Sequence, residues 1–151
     1  MENVLKINDR LAVATKQLSV EQLKQAAREG YKSVLNLRSP QEEGFMSDEQ
    51  EKAEATGLEY VNIPVSPNNM SEELADRVLQ QIDSLSKPLL THCQSGLRSG
   101  AMSLMYLAIK EEISAEEAMN KGKAMGFDCN KSPQMKDFFK QYIAQYQSAA
   151  S

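Results

Sequence analysis

The sequence predicts an α/β fold in which a central, mostly parallel sheet is flanked by helices, within a single domain spanning residues 1–151. Three observations carry this expectation. Short apolar strands alternate along the chain with amphipathic helical stripes. Capping and turn residues mark the boundaries between them, with no linker, repeat or low-complexity stretch. The length of 151 residues, with 41% hydrophobic and 25% charged residues, suits one ordinary core.

Each element announces itself locally. Leu11-Ala12-Val13-Ala14 reads as a short strand. Ser19 then caps a helix, Gln22 reaches back to it, and Leu18 staples onto Leu23. That helix is expected to stop at Gly30, where a left-handed residue is wanted. Residues 31–37 form the next strand, ended by Arg38-Ser39-Pro40, and a polar helix follows near 47–55, closed by Gly57.

Residues 58–64 alternate as a half-buried strand should. Ser71 opens a helix with Leu74, Val78, Ile82 and Leu85 on one stripe. Pro88 can stand only at the first position of the strand running to His92. The last third is helical. Residues 100–109 carry Met102, Leu104, Met105 and Leu107, and Ser114-Ala115-Glu116-Glu117 is a capping box. After Ser132-Pro133, Met135, Phe138, Phe139, Tyr142, Ile143 and Tyr146 form a stripe that faces a core. Residues 112–147 are thus C-terminal helices of the same domain, and 148–151 are expected to fray.

Composition narrows function. The 17 Lys and Arg against 21 Asp and Glu give a net charge of −4, which argues against a general nucleic-acid surface. No apolar run approaches the ~20 residues needed to cross a bilayer. Met1-Glu2-Asn3-Val4-Leu5-Lys6 has neither the basic stretch nor the apolar core of a secretory leader, so a cytoplasmic location is expected. Two cysteines and one histidine are too few for a disulfide scaffold or a His-rich metal site. In a reducing compartment, a cysteine in a special setting is more often reactive than structural.

One stretch concentrates chemistry: Leu90-Thr91-His92-Cys93-Gln94-Ser95-Gly96-Leu97-Arg98-Ser99-Gly100. An apolar strand runs into a cysteine, then a polar, glycine-containing loop, then an arginine where a helix begins. Open α/β sheets bind ligands at the carboxyl ends of their strands, and Cys93 lies at that edge. The amides of Gln94, Ser95, Gly96, Leu97 and Arg98 can turn inward as an anion nest, and the helix adds its positive end. Cys93 is therefore expected as a thiolate near neutral pH, and a thiolate is the nucleophilic form. Arg98 offers a planar fork that matches three-oxygen anions. Ser99 can donate its hydroxyl to sulfur, and His92 is expected to order the loop by bonding backbone carbonyls. A lone cysteine at a strand end is commonly just a small buried apolar residue. Gly96, Arg98 and Ser99 at these offsets favour the reactive reading. Cys129 has no such surroundings. Arg38 and Glu42-Glu43 read as a solvated charged loop rather than catalytic groups.

The segment from His92 to Ser99 resembles the signature loop of the cysteine-dependent protein phosphatases. The wider pattern resembles a bacterial branch, the beta-lactamase-hydrolase-like, phosphatase-like domain family (the DUF442 group). It rests on Leu11-Ala12-Val13-Ala14 with Leu18-Ser19, on Gly30-Tyr31-Lys32-Ser33-Val34-Leu35-Asn36-Leu37-Arg38, on Tyr60-Val61-Asn62-Ile63-Pro64-Val65, and on the loop. It covers about residues 4–110. The resemblance implies a dual-specificity-phosphatase-like fold and hydrolysis of phosphate monoesters, on phosphorylated small molecules or on phosphoproteins such as those bearing phosphotyrosine. It implies that Cys93 attacks phosphorus and forms a phosphocysteine, with Arg98 and the loop amides on the equatorial oxygens. No metal or organic cofactor is required.

Two departures shape the alternatives. Those phosphatases place five residues between cysteine and arginine, whereas Cys93 and Arg98 enclose four. That Cys-X4-Arg spacing also resembles the loop of rhodanese-like sulfurtransferases, in which Cys93 would carry a persulfide. The phosphatases also carry an acid on an upstream loop, but Val65-Ser66-Pro67-Asn68-Asn69-Met70-Ser71 has no carboxylate. Glu72 and Glu73 are nearest, in a helix first turn where acidic residues are common. General acid catalysis contributes about 10²–10⁴-fold, so slow turnover of good leaving groups is expected. A binding module for phosphorylated ligands without turnover is a third reading. The sequence leaves oligomeric state open.

Overall fold

Side chains along a strand alternate between the two faces of a sheet, and parallel strands bury both faces under crossover helices. Every residue of β2 (Leu11–Ala14), β3 (Ser33–Asn36) and β5 (Leu89–His92) is buried, as that arrangement demands. A computed structural model describes residues 4–39, 46–65, 71–93, 97–126 and 133–150. With β1 (Val4–Asn8) and β4 (Glu59–Asn62), these strands form a five-stranded sheet of order β1-β2-β5-β3-β4. Only the β1–β2 pair is antiparallel. The α/β, mostly parallel architecture expected from the sequence is therefore the observed one. The register sets Ala14, His92, Asn36 and Asn62 side by side at one edge.

Residue parity divides the core into two layers. Even-numbered Ala12, Ala14, Val34 and Leu90 face α1 (Val20–Arg28) and α2 (Glu49–Ala55), where they meet Leu18, Leu23, Ala26 and Ala53. Odd-numbered Leu11, Val13, Leu35, Leu37 and Leu89 face the other layer. There α3 (Glu72–Ser84) and α4 (Leu97–Glu111) pack with α5 (Ala115–Met125) and α6 (Pro133–Ala150). Val78 and Ile82 of α3, Met102 and Met105 of α4, and Met135, Phe139, Tyr142 and Ile143 of α6 are buried in this layer.

Helix ends follow the sequence signals. Ser19 Oγ accepts the Gln22 amide at 3.1 Å while Gln22 Oε1 accepts the Ser19 amide at 3.0 Å, completing the capping box. Ser71 and Ser114 cap α3 and α5 by accepting the amides of Leu74 and Glu117, each at 3.1 Å. Gly30, with φ of 99°, follows the end of α1 and lets the Tyr31 amide reach back to the Ala26 carbonyl at 3.0 Å.

Some elements differ from expectation. The sequence reading assigns no element to residues 4–8; the structure places there β1, an edge strand whose only buried residue is Ile7. Helix α4 starts at Leu97, three residues before Gly100. Helix α6 continues to Ala150 where fraying was expected. Among the described residues, no helix is long and apolar enough to cross a membrane.

Because α6 shares one apolar layer with α3 and α4, the chain is expected to unfold as one unit. Phe139→Ala should lower the unfolding free energy by about 3–5 kcal/mol, in a single urea transition followed by circular dichroism. A separate early transition, with the remaining protein unaffected, would show that the last helices do not belong to the common core.

Candidate active site

The carboxyl edge of the sheet collects polar residues that are buried. Asn36, Arg38, Glu49, Thr91, His92 and Ser99 are all at most 2% exposed. Burying such groups is unfavourable unless each finds a partner, so their pairings define the site.

Cys93 directly follows β5, the central strand, and is odd-numbered, so it belongs to the α4 layer. It is fully buried, and its Sγ accepts the backbone N–H of Ser99 at 3.5 Å. Ser99 lies in the first turn of α4, where amides have no partner within their own helix and carry the positive end of the helix dipole. The sulfur thus faces a main-chain donor at the positive end of the helix. Expectation and structure differ in the donor: the main chain of Ser99 reaches the sulfur. Among the described residues, the buried Ser99 Oγ has no hydrogen-bond partner.

Arg98 is half-buried and ties α4 to the neighbouring strand ends. Its Nη1 donates to the Val65 carbonyl at 2.6 Å, just beyond β4, while the Val65 amide donates to the Leu37 carbonyl at 3.0 Å. Asn62 Nδ2 donates to the carbonyls of Asn36 and Arg38, at 2.8 and 2.9 Å, and secures the turn after β3. Cys93, Arg98 and Ser99 are therefore gathered at one corner. Gln94, Ser95 and Gly96 lie outside the described residues, as do Glu42, Glu43, residues 66–70 and Cys129. Leu97 opens α4.

His92 is even-numbered, so its ring crosses to the α1/α2 layer, away from the Cys93 side chain. Its Nε2 lies 2.6 Å from Glu49 Oε2, and both side chains are fully buried. The ring therefore meets a carboxylate on α2, not the backbone carbonyls expected from sequence. Glu49 Oε1 also accepts the Gln17 side-chain amide. Nearby, the Tyr60 hydroxyl receives Asn36 Nδ2 at 2.9 Å. Burial, and then the charge of Glu49, hold the Tyr60 phenol protonated far above its usual range.

Arg38 departs from its sequence-based expectation. It is 2% exposed, and its Nη1 donates to Gln17 Oε1 at 2.7 Å, so it belongs to this buried network and not to a solvated loop. Glu49 was missed altogether. It opens a helix that reads as polar, and the nearby signal was only one histidine 43 residues downstream. Glu72 and Glu73 are exposed in the first turn of α3. Among the described residues, no three His, Cys, Asp or Glu side chains gather as metal ligands.

Given this enclosure, Arg38→Gln should cost about 1–3 kcal/mol of stability by removing a charged, buried hydrogen bond. Urea unfolding would measure it. A change within about 0.5 kcal/mol, the usual effect of a surface substitution, would return Arg38 to solvent.

Comparison with known proteins places this geometry in a family context. Residues 4–110 match the family described as beta-lactamase hydrolase-like protein, phosphatase-like domain. A beta-lactamase hydrolase-like protein of Agrobacterium fabrum is 30% identical over 127 residues, covering 82% of this chain and 29% of that protein. The chain thus spans under a third of that relative's length. Among solved structures, a candidate phosphatase of the DUF442 group from Shewanella putrefaciens superposes with a TM-score of 0.82 at 19% identity, covering 95% of this chain and 93% of that one. TpbA of P. aeruginosa, solved in complex with pTyr, superposes with a TM-score of 0.79 at 14% identity, covering 97% and 89% respectively. The fold is that of the tyrosine and dual-specificity phosphatases.

Proposed function

Because this chain belongs to the beta-lactamase hydrolase-like, phosphatase-like domain family, we propose that it is a cysteine-dependent phosphatase acting on phosphate monoesters. The observation that carries the reading is the Cys93 sulfur at the end of the central strand, receiving the Ser99 amide from the first turn of α4 with Arg98 beside it. Among the described residues, Cys93 is the only free cysteine.

In the first step the Cys93 thiolate attacks phosphorus, an S–P bond forms, and the ester P–O bond breaks. The leaving alkoxide or phenoxide takes up a proton. Water then attacks phosphorus, the S–P bond breaks, and inorganic phosphate leaves with the thiolate restored. Arg98 and the amides of Gln94, Ser95, Gly96 and Leu97 hold the equatorial oxygens as charge redistributes. The Ser99 amide favours negative charge on sulfur, both before attack and as the thiolate departs.

With no carboxylate in residues 65–71, the leaving group receives little help. A phenoxide needs less than an alkoxide, so aryl phosphates are the favoured class, and phosphotyrosine is the physiological group of that kind. The pTyr bound to TpbA, which shares this fold, supports the assignment.

Turnover of p-nitrophenyl phosphate tests it. Cys93→Ser should fall to background, and Arg98→Ala should lose roughly 10²–10³-fold in kcat. Wild-type turnover in the serine variant would overturn the assignment. The four-residue spacing between Cys93 and Arg98 favours the sulfurtransferase alternative. Thiocyanate formed from thiosulfate and cyanide, with one sulfur atom added to Cys93, would replace the phosphatase reading.

A further inference from the structure

We propose that Glu49 is a positioning residue for Cys93, acting through the ring of His92. It deepens the assignment above, since it rests on Cys93 being the nucleophile.

Glu49 is a fully buried carboxylate beside an apolar cluster that includes Ala12, Ala14, Leu18, Leu23 and Leu90. A carboxylate there is unfavourable unless donors surround it. Two do, from separate segments: His92 Nε2 from β5 and the Gln17 side-chain amide from the segment after β2. The carboxylate and the ring nitrogen, 2.6 Å apart, share one hydrogen between them. Arg38 closes the circuit by donating to Gln17 Oε1 at 2.7 Å.

The consequence for Cys93 is mechanical. His92 and Cys93 are successive residues whose side chains leave β5 on opposite faces. Pinning the ring to α2 fixes the dihedrals of the last strand residue, and with them the direction in which the next side chain leaves. The main chain is held as well, because the His92 carbonyl accepts the Leu37 amide at 2.9 Å. Catalytic geometry is sensitive at this level; a displacement of about 1 Å can cost roughly 10²-fold in rate. The Glu49–His92 pair is thus the rear anchor of the nucleophile, and the Ser99 amide is the front one.

The test compares Glu49→Gln with the double variant Gln17→Glu/Glu49→Gln. The single variant turns an amide N–H toward the Gln17 amide, setting donor against donor. In the double variant the carboxylate moves to position 17, within reach of Arg38, and the new side-chain carbonyl at position 49 still accepts from His92. Net charge is unchanged. Glu49→Gln should lower kcat for p-nitrophenyl phosphate by roughly ten- to a hundredfold, with KM held within about twofold. It should slow iodoacetamide alkylation of Cys93 in parallel, and the double variant should restore both. Wild-type alkylation in Glu49→Gln, or an effect on KM alone, overturns the proposal, as does a double variant no better than the single one. Circular dichroism shows whether the variants are folded.

Should the variants not fold, the wild type decides. His92 is the only histidine, so nuclear magnetic resonance gives one imidazole signal set. The ring N–H should be protected from exchange with water and should shift when Cys93 is alkylated. A freely exchanging or unresponsive ring proton overturns the proposal. If the wild type lacks turnover, the phosphatase assignment fails, while alkylation and the imidazole signal still judge Glu49.

Discussion

Two successive residues at the end of a central, doubly buried strand must point to opposite faces, and the rest of the site depends on this constraint. At the end of β5 it sends His92 into the α1/α2 layer and Cys93 toward α4. The His92 ring therefore faces away from the Cys93 sulfur, although the two residues are adjacent in sequence. One layer supplies the sulfur with an amide donor from a helix N-terminus. The other holds the preceding residue by an ion-pair-type contact. β5 lies between β2 and β3, so both layers reach it without crossing an exposed edge.

Electrostatics and packing pull in different directions here. Cys93 shares an apolar cluster with Leu35, Leu37, Met102 and Phe139, surroundings that offer a charge no solvation. Against this stands the first turn of α4, where Ser99 offers its amide within 3.5 Å. Behind the strand, Arg38, Glu49 and His92 are charged or chargeable groups with almost no contact with water. An apolar replacement of such a set often leaves a protein as stable or more so. Retaining it is easier to understand as a constraint on geometry than as a source of stability, and the geometry it constrains is that of the residue next to it.

Most of the architecture was legible because local signals agreed with the global pattern. Ser19, Ser71 and Ser114 cap the helices they were read to cap, and the α6 stripe of Met135, Phe139, Tyr142 and Ile143 is buried. The grouping of Cys93, Arg98 and Ser99 was legible because the three are neighbours in sequence. Contacts between distant segments were not. Glu49 shares the inward face of α2 with Ala53, and a seven-residue helix with one buried apolar position looks polar. Arg38 follows β3 beside a proline and further charges, a setting that usually means solvent. Its burial depends on Gln17, Glu49 and His92 being brought together by α1, α2 and the sheet. The hydroxyl role read for Ser99 is a matter of local geometry: the first turn of a helix offers main-chain N–H groups before any side chain.

The central claim is that the Cys93 sulfur forms a covalent bond to phosphorus during turnover. Acid quenching of the wild type during steady-state hydrolysis of an aryl phosphate, followed by peptide mass spectrometry, tests it most directly. The account predicts one phosphoryl group on the peptide containing Cys93, lost on prolonged incubation as phosphate is released. Continuing turnover with Cys93 unmodified, or with the phosphoryl group on another residue, would contradict it.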